Sequence, residues 1–120
     1  QGVVYGDPSK AEVLTVSNVM IRSLPAYQSI MTGTYSLCLS NNCGRVASET
    51  FAQRMVRELG LKPAQVATFA SWPRVALAVE HIQGATFVDA PTDTREDEVT
   101  FPLALAHLKA EKPRFMFISL

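Results

Sequence analysis

Short apolar runs alternate with helical segments along this chain, and this alternation constrains the fold more than any other feature. Four runs are predicted to be strands: Glu12–Ser17, Gln65–Ala70, Thr86–Asp89 and Phe115–Leu120. Because strands that alternate with helices pair mainly in parallel, with the helices on the sheet faces, the sequence predicts an α/β fold. At 120 residues, 48% of them hydrophobic, the chain is long enough to bury one core.

Helices are predicted where apolar residues recur at helical spacing between turn signals. The first opens at Pro25, two residues after Ser23, and closes at Gly33, and the second spans Glu49–Leu59. A short third follows Pro73 and ends near Glu80, and the last opens at Thr100 and Pro102. Their apolar stripes are Tyr27, Ile30 and Met31 in the first helix, Phe51, Met55 and Leu59 in the second, and Phe101, Leu105 and Leu108 in the last. The charged run Arg95–Glu98 is predicted to be a solvated loop.

Charge and hydropathy argue against two classes of partner. Eleven basic and eleven acidic side chains give a net charge of zero and no basic block, so nucleic acid is not an expected partner. No apolar run reaches the roughly 18 residues that a membrane span needs, so no membrane contact is expected. The sequence leaves the cellular compartment open.

The two cysteines, Cys38 and Cys43, lie five residues apart in a polar loop. A structural zinc site needs four ligands and usually a tighter spacing, so a metal role is disfavoured. A disulfide within the loop and two unused thiols are both consistent with this spacing.

Ser23 lies at the start of the first predicted helix, where backbone N–H groups lack partners and the end of the helix dipole is positive. Two interpretations are open. Ser23 is either an N-cap whose oxygen accepts a hydrogen bond from the helix, or a nucleophile that attacks an anionic ester. Ser71 is a second candidate for the same sheet edge, because it follows a predicted strand and ligands gather beyond the carboxyl ends of parallel strands.

A serine nucleophile needs an adjacent base or a metal ion to ionise its hydroxyl. The two histidines, His81 and His107, lie on predicted helices or helix ends and are expected at the surface or the core edge. No serine has the Gly-x-Ser-x-Gly surroundings of an α/β-hydrolase nucleophile, and no Gly-rich phosphate loop is present. A metal ion is therefore the simplest activator of Ser23.

The first helix segment carries a pattern of four residues: Ser23, Pro25, Thr32 and Gly33. A hydroxyl followed by proline two residues on, and by a helix closing in Thr-Gly, resembles the nucleophile segment of the alkaline phosphatase superfamily. Further matches to its phosphoglyceromutase-like, metalloenzyme-domain branch are Gln1–Asp7, Ser17-Asn18, Phe69, Ser71 and Trp72. Tyr27 stands where sulfatases have arginine, which disfavours a formylglycine sulfatase.

This resemblance implies a fold, a mechanism and a cofactor. Residues 1–120 would be a single α/β segment of a larger alkaline phosphatase-like catalytic domain, with a mainly parallel sheet and flanking helices. Two divalent metal ions, zinc or manganese, would be held by Ser23 and by ligands outside the chain, so the isolated chain is expected to be inactive. Ser23 would attack a small-molecule phosphate ester, and Arg22 would either assist electrostatically or face solvent.

Two other functions are kept as alternatives to a phosphatase or phosphomutase. One is a non-catalytic α/β binding module in which Ser23 only caps the helix, and the other is a sulfatase or phosphodiesterase of the same superfamily. Exposed sheet edges could also let the chain self-associate.

Overall fold

A three-stranded parallel sheet with flanking helices organises the described part of the chain. The computed structural model describes Ser9 and residues 21–120, so the predicted strand Glu12–Ser17 lies outside the described residues. The helices are α1 (Ser23–Thr32), α2 (Phe51–Leu59), α3 (Ala76–Val79) and α4 (Asp97–Glu111), and the strands are β1 (Val66–Ala70), β2 (Phe87–Asp89) and β3 (Phe115–Ser119). Among the described residues, no helix has both the length and the apolar character that crossing a bilayer requires.

β1 lies at the centre of the described sheet, and all five of its residues are buried. The strand order is β2-β1-β3, and both pairs are parallel, with Thr68 opposite Val88 of β2 and Phe117 of β3. A short run of small and apolar residues suits a strand that is covered on both faces. The prediction of an α/β fold with a parallel sheet is confirmed for the described residues, where β2 and β3 are the edge strands.

The core has two layers, one on each face of β1. The first layer contains buried Met31, Ala70, Val75 and Val79, packed against Tyr27, Phe51, Trp72, Val88, Ala90 and Phe117. The second layer contains Ala67 and Phe69 of β1, Ala104 of α4 and Met116 of β3. Successive strand residues point to opposite faces, so Phe69 and Ala70 belong to different layers. Helices α1 to α3 thus cover one face of the sheet, and α4 covers the other.

The last helix begins earlier than predicted and buries a different stripe. α4 starts at Asp97 rather than Thr100, with acidic side chains in its first turn, where the helix dipole stabilises them. The prediction of a solvated loop is therefore wrong for the end of that charged run. The buried residues of α4 are Thr100 and Ala104, whereas Phe101 and Leu108 of the predicted stripe are 51% and 47% exposed.

Glutamines lie on the inner faces of α1 and α2, in place of two apolar residues that the spacing predicts. Gln28 and Gln53 are buried, whereas Ile30 and Leu59 are 61% and 60% exposed. The Gln53 amide is paired with the backbone of the turn after α3, where it accepts a hydrogen bond from the His81 N–H at 2.6 Å. A polar side chain can lie in the core when its hydrogen bonds are satisfied in this way.

Candidate functional site

Ser23 is the first residue of α1, and it is exposed. Arg22 holds the N-cap position in an extended conformation, with φ −134° and ψ 146°, and its side chain makes no capping hydrogen bond. Pro25 lies in the first turn, where its missing N–H removes no helical hydrogen bond. The N-cap interpretation of Ser23 is therefore wrong, because the serine lies one residue inside the helix.

The first turn of α1 offers fewer free donors than the sequence predicts. The Leu24 N–H donates to Asn41 Oδ1 at 3.0 Å. The Ala26 N–H donates to the Arg22 carbonyl at 3.2 Å, and Pro25 has no N–H. The expectation that unpaired N–H groups would hold an anion here is wrong for these three residues. The positive end of the helix dipole is what this turn still provides.

α1 reaches the carboxyl end of the sheet through Tyr27, one turn after Ser23. The Tyr27 hydroxyl and the Ser119 hydroxyl at the end of β3 form a hydrogen bond of 3.0 Å. The Tyr27 ring also packs against Trp72, just past β1, and against Phe117 of β3, with centroids 6.4 and 6.0 Å away. These contacts hold the first half of α1 beside the edge where parallel sheets bind ligands.

Ser71 lies at the same edge, as predicted, but its hydroxyl is buried and paired. The Ser71 hydroxyl donates to Thr100 Oγ1 at 2.8 Å, and the residue is 5% exposed. The Ser71 N–H donates to the Ser119 carbonyl at 2.9 Å, and the Ser71 carbonyl accepts from the Arg95 N–H at 3.0 Å. Ser71 therefore joins β1, β3 and the start of α4, and its hydroxyl is not presented to a substrate.

An ion pair that the sequence reasoning missed lies at the carboxyl edge. Arg95 Nη2 is 2.6 Å from Asp89 Oδ1, with the two side chains 19% and 28% exposed. The Arg95 Nε–H also donates to Thr100 Oγ1 at 2.8 Å. The solvated-loop prediction is therefore wrong for Arg95 too. We call Ser71, Asp89, Arg95 and Thr100 the carboxyl-edge network; the position of Asp89 at a strand end was the one signal that could have indicated it.

The histidines lie at the periphery, as predicted. His81 is exposed, and its Nδ1 lies 3.0 Å from the Val46 carbonyl. His107 is half-buried, with Nε2 2.8 Å from the Ala64 carbonyl and its ring centroid 4.4 Å from that of Phe87. Both rings are bound to backbone carbonyls, which is a structural role.

Cys38 and Cys43 form a disulfide, with Cα atoms 5.8 Å apart. The structure thus decides between the two alternatives that the spacing left open. The disulfide closes a ring of residues 38–43, and this ring contains Asn41, which binds the first turn of α1. Sequence reasoning missed Asn41, because nothing in a polar loop indicates which helix its side chains will meet.

The described residues do not supply a metal centre. No group of three or more His, Cys, Asp or Glu side chains among them is placed to hold a metal ion. Asp89 is paired with Arg95. The buried Glu80 carboxylate accepts hydrogen bonds from the Thr86 N–H and hydroxyl, both at 2.7 Å, and from the Gly84 N–H at 3.1 Å. The two divalent ions that the resemblance implies therefore do not fit the described residues by themselves.

A surface ion pair between Glu49, just before α2, and Arg57, in the last turn of α2, has shifted pKa values. Arg57 donates hydrogen bonds of 2.9 and 3.1 Å to the Glu49 carboxylate. These hydrogen bonds hold the pKa of Glu49 below its ordinary value of 4.5 and raise the pKa of Arg57. The pair bears on the pH dependence of stability rather than on the chemistry at the carboxyl edge.

Comparison of this chain with protein-family models gives no match, and neither does comparison with curated proteins or with solved structures.

Proposed function

We propose that this chain belongs to a metal-dependent phosphoryl-transfer enzyme of the phosphatase or phosphomutase type, with an alkaline phosphatase-like fold and Ser23 as nucleophile. One observation carries the proposal: Ser23 is exposed at the first position of α1, without a capping role, on a helix held at the carboxyl end of a parallel sheet. The positive end of the helix dipole there favours a phosphate dianion. The resemblance of Ser23, Pro25, Thr32 and Gly33 to the nucleophile segment of that superfamily supports the same assignment.

In this proposal, the Ser23 oxygen attacks the phosphorus of a small-molecule phosphate ester in line with the leaving group. A bond forms between Ser23 Oγ and phosphorus, and the bond from phosphorus to the leaving oxygen breaks. The serine proton passes to solvent, and the leaving alkoxide takes up a proton. Water then attacks the phosphoserine in a phosphatase, or an acceptor alcohol does so in a mutase, and the Ser23 hydroxyl is restored.

The described residues do not supply enough ligands for the metal ions that this proposal includes. Alkaline phosphatase-like enzymes use two divalent ions, zinc or manganese, to ionise the nucleophile. Because the described residues contain no group of three ligands, we propose that the ligands come from outside the described range, in a larger catalytic domain. The isolated 120-residue chain is accordingly expected to bind metal weakly and to show negligible turnover.

Two neighbours of Ser23 favour a phosphate ester within the superfamily. Arg22 is exposed and adjacent, so its guanidinium can face the phosphate oxygens. Tyr27, which stands where sulfatases have arginine, is hydrogen-bonded to Ser119 and packed on the end of the sheet. Its side chain holds α1 in place and carries no positive charge for a sulfate group.

The test is hydrolysis of 4-nitrophenyl phosphate by the complete protein in the presence of zinc or manganese. The variants are Ser23→Ala and, as a matched control, Ser48→Ala, which changes another exposed serine. We expect Ser23→Ala to lose activity by about 10³-fold or more, with an unchanged unfolding temperature, and Ser48→Ala to keep wild-type activity. Mass spectrometry of acid-quenched wild type should find phosphate on Ser23.

Near-normal activity of Ser23→Ala, or phosphate on a different residue, would overturn the nucleophile assignment. A complete protein that turns over no phosphate monoester, phosphate diester or sulfate ester would favour the binding module instead. Faster turnover of a diester or a sulfate ester would favour the phosphodiesterase or sulfatase alternative. If the isolated chain hydrolysed the monoester and Ser23→Ala abolished this, ligands from outside the chain would not be required.

A further inference from the structure

We infer that Asn41 is a positioning residue for Ser23 and that the Cys38–Cys43 disulfide makes this positioning sensitive to reduction. This assignment rests on the proposed function, because it concerns the residue that acts as nucleophile there. Asn41 acts through the backbone next to Ser23.

The contact is a hydrogen bond of 3.0 Å from the Leu24 N–H to Asn41 Oδ1. That N–H belongs to the planar peptide unit that joins Ser23 to Leu24, so the hydrogen bond fixes the orientation of this plane. The orientation of the plane sets the ψ angle of Ser23 and, with it, the direction in which the side chain leaves the helix. Leu24 is fully buried, which anchors the other side of the same peptide unit.

Asn41 supplies an acceptor that the local sequence lacks. A helix start commonly takes its acceptor from the side chain of the N-cap residue. Arg22 holds that position in α1, and a guanidinium has donors only. The acceptor for the Leu24 N–H therefore comes from a residue 17 positions further along the chain.

The disulfide restrains the loop that carries Asn41. The chain between α1 and α2 contains no helix or strand, so its conformation is not fixed by a regular backbone pattern. Asn41 lies within the ring of residues 38–43 that the disulfide closes. A closed ring removes many of the conformations that an open loop of the same length can adopt.

Gln28 of α1 binds the chain on both sides of this ring. Gln28 Nε2 donates to the Gly44 carbonyl at 3.0 Å, and Gln28 Oε1 accepts from the Ser36 hydroxyl at 2.6 Å. Ser36 Oγ in turn accepts from the Cys38 N–H at 3.1 Å. The ring is thus attached to α1 near both of its ends, and Asn41 is held at the first turn of the same helix.

Reduction opens the ring without changing any of these other groups. A thiolate of a dithiol attacks one disulfide sulfur, the S–S bond breaks, and a mixed disulfide forms. The second thiolate displaces the protein sulfur, which leaves two cysteine thiols and an oxidised dithiol, with two electrons and two protons passed to the protein. Asn41 then regains conformational freedom, and its hydrogen bond to the Leu24 N–H is populated less.

The experiment measures amide hydrogen exchange at Leu24 and the kcat for 4-nitrophenyl phosphate on the complete protein. Asn41→Ala removes the acceptor, Asn41→Asp keeps one, and Asn42→Ala changes the exposed neighbouring asparagine as a matched control. The double variant Cys38→Ser/Cys43→Ser removes the disulfide without a reagent. Wild type is also reduced with a trialkylphosphine rather than a thiol, because thiols bind divalent metal ions. In this reaction the phosphine takes its oxygen from water and becomes the phosphine oxide.

Asn41→Ala, the double cysteine variant and reduced wild type should each exchange the Leu24 amide about fivefold to tenfold faster, as expected for the loss of a helix cap. Their kcat should fall by a similar factor with an unchanged KM, because the orientation of Ser23 is lost and substrate binding is not. Asn41→Asp and Asn42→Ala should keep the protection of the Leu24 amide. The phosphine should have no further effect on Asn41→Ala, since both changes act through one hydrogen bond.

Unchanged exchange and kcat in Asn41→Ala, or an equal loss in Asn42→Ala, would overturn the positioning role. A full effect of the phosphine on Asn41→Ala would show that the disulfide acts through another contact, which overturns the coupling. An inactive wild type, or an active Ser23→Ala, would count against the proposed function instead. In that case exchange at Leu24 would still decide whether Asn41 holds this peptide unit.

Discussion

Replacing Thr100 with valine tests whether the carboxyl-edge network holds α4 to the sheet. Thr100 is fully buried, and its Oγ1 accepts hydrogen bonds of 2.8 Å from the Ser71 hydroxyl and from Arg95 Nε. Valine has nearly the same shape but no hydroxyl, so Thr100→Val leaves both donors without this acceptor.

The expected loss follows from what each donor can bind instead. A buried polar group left without a partner costs about 1–3 kcal/mol. The Ser71 hydroxyl bears most of this cost, because the residue is 5% exposed, whereas Arg95 keeps its ion pair with Asp89. We therefore expect Thr100→Val to lower the free energy of unfolding by about 2–3 kcal/mol, and Ser71→Ala to lower it by about 1 kcal/mol.

Equilibrium unfolding in urea, followed by the fluorescence of Trp72, measures these losses from the midpoint at constant m-value. The double variant Ser71→Ala/Thr100→Val should lose about 1 kcal/mol less than the sum of the single variants, because the unpaired Ser71 hydroxyl is gone. Thr94→Val, at an exposed position, is the control and should change stability by less than about 0.5 kcal/mol. A loss below about 0.5 kcal/mol in Thr100→Val, or strict additivity, would refute the reasoning.

Three further predictions concern stability. Glu49→Gln should lower the urea midpoint at neutral pH, and the midpoints of variant and wild type should converge on acidification. The hydrogen bonds from Arg57 lower the folded-state pKa of Glu49. Their contribution to stability is therefore present above the ordinary pKa of 4.5 and is lost as the pH falls through the folded-state pKa. A difference that persists at pH 2 would contradict this cause. Phe69 is 2% exposed and packs between the rings of Phe87 in β2 and His107 in α4. Phe69→Ala should lower the free energy of unfolding in urea by about 3–5 kcal/mol. A loss under about 1 kcal/mol would show that the second core layer is not formed. Gly60→Ala should lower the free energy of unfolding by about 1 kcal/mol, because Gly60 has a φ of +61°. Gly44→Ala should be near neutral, since an added Cβ there also meets nothing within 4 Å. Equal shifts of the unfolding temperature in the two variants would argue against backbone strain as the reason.

The three strands β1, β2 and β3 could be predicted from the sequence because each is a short apolar run between turn residues. The buried stripe of α4 could not, because Phe101, Leu105 and Leu108 recur at helical spacing while the sheet contacts the neighbouring stripe of Thr100 and Ala104. The small side chain of Ala104 allows close approach to β1, and the hydroxyl of Thr100 has partners elsewhere. A count of apolar residues cannot predict that such a threonine is buried while a leucine on the same helix is exposed.

The candidate site could be predicted only where its residues are neighbours in sequence. Ser23 stands out because the residues that follow it form a recognisable pattern within one helix. Asn41 meets Leu24 across 17 residues, and Ser71 meets Thr100 across 29. No local pattern specifies which side chains will meet at such separations, since the loops and the sheet register decide it.

The central position of β1 has a consequence for how the protein is made. β1 can pair with β2 soon after both are synthesised, but its other edge pairs with β3, which begins at Phe115. At about 5–20 residues per second, the roughly 45 residues from Ala70 to Phe115 take about 2–9 s to translate. Throughout that interval a ribosome-bound chain carries an apolar strand whose β3-facing edge is unoccupied. Slow codons between α3 and β3 would lengthen this exposure, and an unpaired strand edge promotes aggregation.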